Sequence, residues 1–147
     1  MVFFFTACEF SETQTFRPKI FDQAAVVSAH PIASKIGVEI MKDGGNAFDA
    51  CVATQFALAV VYPAAGNIGG GGFSVIVDKE GNRFCLDFRE KAPKNATRDM
   101  YLDSSGKVIE DLSIYGALSN GVPGTVQGMF EMHEKWGTLK WNELIKP

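Results

Sequence analysis

The sequence predicts an α+β fold, in which helices precede and follow a β-hairpin. Three observations predict it: helical spacing of apolar residues in 31–45, a nearly continuous apolar stretch in 47–61, and two β-rich runs around a turn in 73–88. With 147 residues, 46% of them hydrophobic, the chain is long enough to bury one core. We therefore expect one folded unit in residues 23–147, after a leader or flexible segment in residues 1–22.

The charge of the chain argues against nucleic acid as a partner. Its 14 basic and 17 acidic residues give a formal net charge of −3, and the basic residues are scattered along the sequence. Binding to phosphate backbones requires clustered Lys and Arg. The charged residues are therefore interpreted as a solvated surface.

The cysteines and histidines do not predict a metal site. Cys8, Cys51 and Cys85 are too widely spaced for a metal motif or a disulfide framework, and the two histidines, His30 and His133, are far apart. Cys51 lies in an apolar run and Cys85 in a strand pattern. Both are expected to be small buried hydrophobic residues.

The opening residues, MVFFFTAC, resemble the end of a bacterial lipoprotein signal, in which a cysteine becomes the lipidated N-terminus. Cys8 would be that cysteine. The apolar run is short, no positive charge precedes it, and Phe5 stands where a small aliphatic residue is usual. Two interpretations therefore stay open: an exported protein with a lipid anchor at Cys8, and a chance resemblance.

The first helix is predicted to begin at Pro31, because the missing N–H of proline is not needed at the first helical position. Apolar side chains repeat every four residues at Ile32, Ile36 and Ile40, which indicates an amphipathic helix. The helix is predicted to stop at Gly44, the first of two consecutive glycines.

Two further apolar runs lie on either side of this helix. Ala24–His30 has the length of a strand and is predicted as one. Ala47–Val61 is too short to cross a bilayer, which requires about 20 residues. It is therefore predicted as a helix that is buried on nearly all sides and ends before Pro63.

The runs FSVIV and RFCLDF flank the turn DKEGN and predict a β-hairpin. In its second strand Phe84, Leu86 and Phe88 share one face, and the residues between and after them share the other. Residues 91–121 are rich in turn signals, and a helix is predicted from Gly124 to Trp136, ended by glycine.

The chain is predicted to close with a short helix in its last ten residues. Four methionines and both tryptophans are interpreted as packing residues: Met41, Met100, Met129, Met132, Trp136 and Trp141.

Four consecutive glycines, Gly69–Gly72, precede the first strand of the hairpin. A phosphate-binding loop would need a following Lys and helix, and a dinucleotide-binding fingerprint would need a strand before it and a helix after it. Here a helix comes before and a strand after, so a nucleotide-binding module is the rejected alternative. The remaining interpretations are close backbone approach, flexibility beside a site, and glycines that merely let the helix and hairpin pack.

The stretch LDFREKAP places Arg89 at the end of a strand, on the same face as Asp87. A planar guanidinium can bind a carboxylate with two parallel hydrogen bonds, which Lys cannot do. Two interpretations follow from the residues themselves: Arg89 binds a substrate carboxylate, or it forms a structural ion pair with Asp87 or Glu90.

Four segments follow in the order and spacing of the γ-glutamyltransferase family, which includes γ-glutamyl transpeptidases and glutathione hydrolases. They are GGNAFDACVA, VVYPAAGNIGGGGF, LDFREKAP and GVPGTVQGMFEMHEKWG, and the resemblance covers residues 24–147. It implies an N-terminal-nucleophile hydrolase fold, an αββα sandwich of two antiparallel sheets flanked by helices. This chain would be the N-terminal portion of the large subunit.

The resemblance also implies an activity and partners. The precursor would cleave itself, and the new N-terminal Thr of the small subunit would attack γ-glutamyl amides such as glutathione. The glutamyl group would pass through an acyl-enzyme to water or an amino acid, without a metal or organic cofactor. The partners would be the γ-glutamyl substrate and the remainder of the precursor, including the small subunit. A membrane would be a partner only through a lipid anchor, at a periplasmic or other extracytoplasmic location.

Within this chain the resemblance assigns Arg89 to the α-carboxylate of the glutamyl group. It assigns Asp87 and Glu90 to holding the guanidinium in place. No catalytic residue is expected here, because the nucleophile would lie in the small subunit. The pattern breaks off at Pro147, which predicts a fragment that is inactive alone and leaves sheet edges unpaired. Two alternatives remain: a β-lactam (cephalosporin) acylase of the same family, and a truncated, non-catalytic binding protein.

Overall fold

The computed structural model describes residues 20–147, so Cys8 and most of the predicted leader lie outside the described residues. The elements in chain order are α1 (Pro31–Lys42), α2 (Ala47–Val61), β1 (Phe73–Val77), β2 (Arg83–Asp87), a 3-10 turn (Ala117–Ser119), α3 (Thr125–Trp136) and α4 (Trp141–Leu144). Two helices precede an antiparallel hairpin and two follow it, which confirms the predicted α+β class.

Helix α1 begins and ends where the sequence predicts. Pro31 occupies its first turn, and the Ile32 backbone N–H donates to His30 Nδ1 at 3.3 Å. This hydrogen bond satisfies a donor that has no partner inside the helix. After the last turn Gly44 has φ 98°, a left-handed conformation that glycine adopts without steric cost.

The buried face of α1 differs from the predicted one. Ala33, Gly37 and Ile40 are buried, whereas Ile32 is 52% exposed. The reason is the close packing of α1 on α2, since a Cβ at Gly37 would overlap the Thr54 hydroxyl oxygen. Small side chains let the two helix axes approach. Of the three repeating isoleucines, Ile40 is buried, Ile36 is partly buried and only Ile32 is exposed.

A capping box starts α2. The Asn46 side chain accepts hydrogen bonds from the backbone N–H groups of Phe48 and Asp49, and Asp49 Oδ2 accepts from Asn46 N–H at 2.9 Å. The reciprocal pair satisfies donors at the helix start that would otherwise lack partners. The helix ends at Val61, before Pro63, as predicted.

The predicted burial of α2 on nearly all sides holds for only part of the helix. The helix packs on α1, α3 and α4, and the consecutive residues Val52, Ala53 and Thr54 are buried, but Val60 is 78% exposed. Cys51 and Cys85 are also exposed rather than buried, because each lies on the side of its element that faces away from the core. Across residues 20–147, no helix combines the length and apolar character needed to cross a membrane.

Asp49 is fully buried and joins the start of α2 to the loop between α3 and α4. Its carboxylate accepts the Thr138 backbone N–H at 3.1 Å and the Thr138 hydroxyl at 2.6 Å. The Leu139 backbone N–H lies 3.4 Å from Oδ1. With the Asn46 N–H of the capping box, these donors stabilise a carboxylate that would otherwise be costly to bury.

The two strands pair in the register Phe73↔Asp87 to Val77↔Arg83. On the inner face Leu86 is buried, and on the outer face Val75 is 80% exposed, as the alternation predicts. Two backbone hydrogen bonds between Gly72 and Phe88, 3.0 and 3.4 Å long, extend the ladder by one residue pair.

The predicted strand at Ala24–His30 is wrong for the described residues, where the only sheet consists of β1 and β2. A strand needs a neighbour for its backbone groups, and no described segment pairs with this run. Val26 instead packs against the core and against Gly37 of α1.

The C-terminal part follows the predictions more closely. Residues 91–121 form turns with few regular elements, and α3 ends at Gly137, whose N–H donates to the His133 carbonyl at 2.8 Å. Met129 and Met132 are buried in the core. The Trp136 ring stacks on Phe48 at 5.3 Å, and the Trp141 ring meets Phe56 edge-on at 5.6 Å, so both tryptophans are packing residues.

Candidate functional site

The glycine run packs directly against the backbone that carries Arg89. A Cβ built on Gly71 would lie 2.5 Å from the Phe88 carbonyl oxygen, 2.8 Å from the Glu90 nitrogen and 2.9 Å from Arg89 Cα. No other residue type fits at that separation. A Cβ on Gly69, in contrast, would meet no atom of residues 20–147 within 4 Å. The close-approach interpretation is therefore confirmed at Gly71.

A second segment, residues 121–125, also packs on this backbone. Lys91 and Val122 exchange two backbone hydrogen bonds of 2.8 and 3.1 Å. A Cβ on Gly124 would overlap the Phe88 carbonyl oxygen. The residues around Arg89 thus contact two glycine-containing segments, and backbone packing restricts the position of the Arg89 Cα.

The two flanking segments are also bonded to each other. The Gly70 carbonyl accepts the backbone N–H groups of Gly124 at 2.8 Å and Thr125 at 3.0 Å, which satisfies donors at the start of α3. The Asn67 side-chain oxygen accepts the Gly70 N–H at 2.7 Å and the Thr125 hydroxyl at 3.0 Å. Three stretches distant in sequence therefore form one unit around Arg89.

The Arg89 side chain extends from this unit into solvent and is 61% exposed. Its Nε donates to Glu90 Oε2 at 3.3 Å, and its guanidinium carbon lies 5.5 Å from the centre of the Phe73 ring. Within residues 20–147 only Nε of the Arg89 guanidinium donates a side-chain hydrogen bond. The two terminal nitrogens are the donors that could pair with an external carboxylate.

Asp87 and Glu90 make different contacts with Arg89. Glu90 reaches the guanidinium, whereas Asp87 Oδ1 accepts the Arg89 backbone N–H at 3.0 Å. The predicted contact of Asp87 with the guanidinium is therefore replaced by a backbone contact. The physical reason is that a short Asp side chain readily bonds the backbone two residues further on.

Hydrogen bonds lower the pKa of the Glu90 carboxyl. The Glu90 backbone N–H contributes most, followed among the lowering groups by the Arg89 side chain and the Gly71 N–H, while desolvation acts in the opposite direction. Glu90 is therefore ionised at neutral pH and balances one positive charge. The exposed pair has little effect on stability.

Asn67, Thr125 and Gly124 were not predicted as site residues. Two sequence features could have indicated them: Asn67 lies two residues before the four glycines, and the pair Gly124-Thr125 opens a helix. Both features are also common in structural turns. Across the described residues no group of three or more His, Cys, Asp or Glu side chains could hold a metal ion.

The chain is similar to known proteins over most of its length. Residues 33–147 match the family model described as Gamma-glutamyltranspeptidase. The chain is 58% identical over 126 residues to a glutathione hydrolase proenzyme of Pseudomonas sp. (strain A14), covering 86% of this chain and 22% of that relative. It is 46% identical over 136 residues to a glutathione hydrolase proenzyme of Escherichia coli (strain K12), covering 92% and 23%.

Solved structures show the same relationship. The Helicobacter pylori gamma-glutamyltranspeptidase superposes with a TM-score of 0.83 at 54% identity, covering 89% of this chain and 38% of that one. A cephalosporin acylase from Bacillus halodurans superposes with a TM-score of 0.63 at 25% identity, covering 90% and 25%. This chain thus spans about a fifth of the length of the curated relatives it matches. The likeness confirms the predicted fold as a partial αββα sandwich, and the chain belongs to the gamma-glutamyltranspeptidase family.

Proposed function

We propose that this chain is the N-terminal portion of the large subunit of an enzyme that cleaves γ-glutamyl amides such as glutathione. The glutamyl group would be transferred to water or an amino acid through an acyl-enzyme on the N-terminal Thr of a separate small subunit. The remainder of the precursor, including that subunit, is the macromolecular partner. The names of the relatives at 58% and 46% identity support this activity.

Arg89 carries the proposal. Its backbone contacts two glycine-containing segments, and within residues 20–147 its terminal nitrogens donate no hydrogen bond while Nε does. The two terminal nitrogens match the two oxygens of a carboxylate, and bidentate pairing fixes the orientation of the bound group as well as its position. In a γ-glutamyl substrate the α-carboxylate, at the end remote from the scissile amide, would bind there. Arg89 would orient the substrate, and groups outside this chain would supply the reacting atoms.

A cephalosporin acylase is the second candidate, and a non-catalytic binding protein is the third. Identity favours the γ-glutamyl enzymes, at 54% for the Helicobacter pylori structure against 25% for the acylase. Both enzyme classes would use an Arg89 that binds a carboxylate. They differ in whether the substrate also carries an α-amino group, so a glutaryl amide and a γ-glutamyl amide would separate them.

The Arg89→Lys variant of the full-length protein tests the proposal. Lys keeps the charge but loses the planar fork, so kcat/KM for a γ-glutamyl anilide should fall by an amount equivalent to about 1.5–3 kcal/mol. The matched control is Arg98→Lys, because Arg98 is 95% exposed and pairs with its neighbour Asp99. Unchanged kinetics in Arg89→Lys would refute the assigned role, whereas a precursor that never turns over γ-glutamyl amides would favour the non-catalytic protein.

We also propose that the protein is exported and lipid-anchored at Cys8, on the basis of the residues MVFFFTAC. Bacteria that express the full-length protein and are fed labelled palmitate should then incorporate label into the wild type and the Cys85→Ser control. The Cys8→Ser variant should carry no label and should leave the membrane fraction. Equal labelling of all three proteins, or of none, would contradict the anchor.

A further inference from the structure

Asn67 and Thr125 form a polar connection behind the segment that carries Arg89. The Asn67 side-chain oxygen accepts two hydrogen bonds, from the Gly70 N–H at 2.7 Å and from the Thr125 hydroxyl at 3.0 Å. Its side-chain amide donates to the Ala65 carbonyl at 3.2 Å. Asn67 is thereby fixed at both ends of its amide, and it holds the glycine run against the start of α3.

Thr125 is the buried end of this connection, with 1% of its surface exposed. Its hydroxyl donates to Asn67, and its backbone N–H donates to the Gly70 carbonyl. Gly124, the residue before it, offers no side chain to cap α3. The first turn of α3 is therefore anchored to the glycine run rather than capped by its own chain.

The hydrogen bonds of Asn67 and Thr125 are linked to Arg89 through close backbone contacts. Gly71, one residue after the bonded Gly70, lies against the Phe88, Arg89 and Glu90 backbone, and Gly124, one residue before Thr125, lies against the Phe88 carbonyl. A shift of either segment must move the Arg89 Cα or open a gap beside it.

We infer that Asn67 and Thr125 are positioning residues, which set the place of the Arg89 guanidinium through the glycine run. This inference rests on the proposed function of Arg89 and adds residues that touch no substrate. It predicts that loss of the Thr125 hydroxyl weakens recognition of a carboxylate specifically, because the displacement acts on Arg89.

The test is Thr125→Val in the full-length protein, since Val keeps the branched shape and removes the donor. Two substrates are compared: the γ-glutamyl anilide, and the 4-aminobutanoyl anilide, which lacks the α-carboxylate but keeps the amine. Loss of one neutral hydrogen bond should raise KM for the γ-glutamyl anilide about 3- to 10-fold with little change in kcat. For the 4-aminobutanoyl anilide kcat/KM should change by less than about 2-fold.

Three further variants make the outcome decisive. Thr125→Ser keeps the hydroxyl and should restore KM, and Thr97→Val serves as the control because Thr97 is exposed in the loop that follows Arg89. Arg89→Lys is measured in parallel on both substrates. If Arg89→Lys is selective for the carboxylate but Thr125→Val is not, the positioning role is overturned and the proposed function stands. If neither variant is selective, the proposed function fails, and the positioning role fails with it.

Discussion

The Asp49→Ala variant is expected to lower the free energy of unfolding of the full-length protein by about 3–5 kcal/mol, measured by urea denaturation. Asp49 is fully buried, and its carboxylate accepts from Asn46 N–H, Thr138 N–H and the Thr138 hydroxyl. Without it, these donors remain away from water and unpaired. The start of α2 also loses its capping box.

Two further variants separate the buried hydrogen bonds from a general loss of charge. Asp49→Asn keeps one acceptor oxygen and should lose about half as much stability as the alanine variant. Glu134→Ala removes an exposed carboxylate from α3 and should change stability by about 0.5 kcal/mol or less. If Asp49→Ala unfolds at the same urea concentration as Glu134→Ala, the account of Asp49 is wrong.

Gly71→Ala is expected to have the second large effect, this time on activity. The added methyl group would lie within 3 Å of three backbone atoms of residues 88–90, so the backbone that carries Arg89 must shift. A displacement of about 1 Å in a positioning group can reduce the rate roughly 100-fold. We expect a loss of that order in kcat/KM for a γ-glutamyl anilide, with a destabilisation of about 1–3 kcal/mol.

Gly69→Ala is the matched control within the same glycine run. Its methyl group would meet no atom of the described part of the chain within 4 Å, yet the change removes the same backbone freedom. Near-normal activity in Gly69→Ala beside a large loss in Gly71→Ala would show that close approach matters at this run. Equal losses in both variants would instead show that flexibility is the property that the four glycines provide.

Much of the local structure could be predicted because its signals are local. Pro31 and Gly44 mark the ends of α1, and the turn DKEGN between two β-rich runs defines the hairpin. The strand predicted at Ala24–His30 failed because strand formation depends on a pairing partner, which the run itself does not specify. The prediction that Cys51 is buried was wrong for a related reason, because the hydrophobicity of a helix does not show which of its sides other elements cover.

Some residues of the candidate site could likewise be predicted from the sequence, and others could not. Arg89 could be singled out because an arginine at a strand end beside acidic residues is unusual, and the family resemblance gave it a role. Asn67 and Thr125 could not be singled out from the sequence, because their hydrogen bond joins residues 58 positions apart. The contacts of Gly71 with residues 88–90 are likewise set by tertiary packing. The four glycines indicated close approach only as one of three interpretations.

The central claim is that Arg89 binds the α-carboxylate of a γ-glutamyl group, and a crystal structure of the full-length protein with bound glutamate tests it most directly. We predict that both terminal nitrogens of Arg89 lie about 2.7–2.9 Å from the two α-carboxylate oxygens, while Nε keeps its contact with Glu90. A glutamate whose α-carboxylate is bound by other residues, with the Arg89 guanidinium still bonded to Glu90 alone, would contradict the claim.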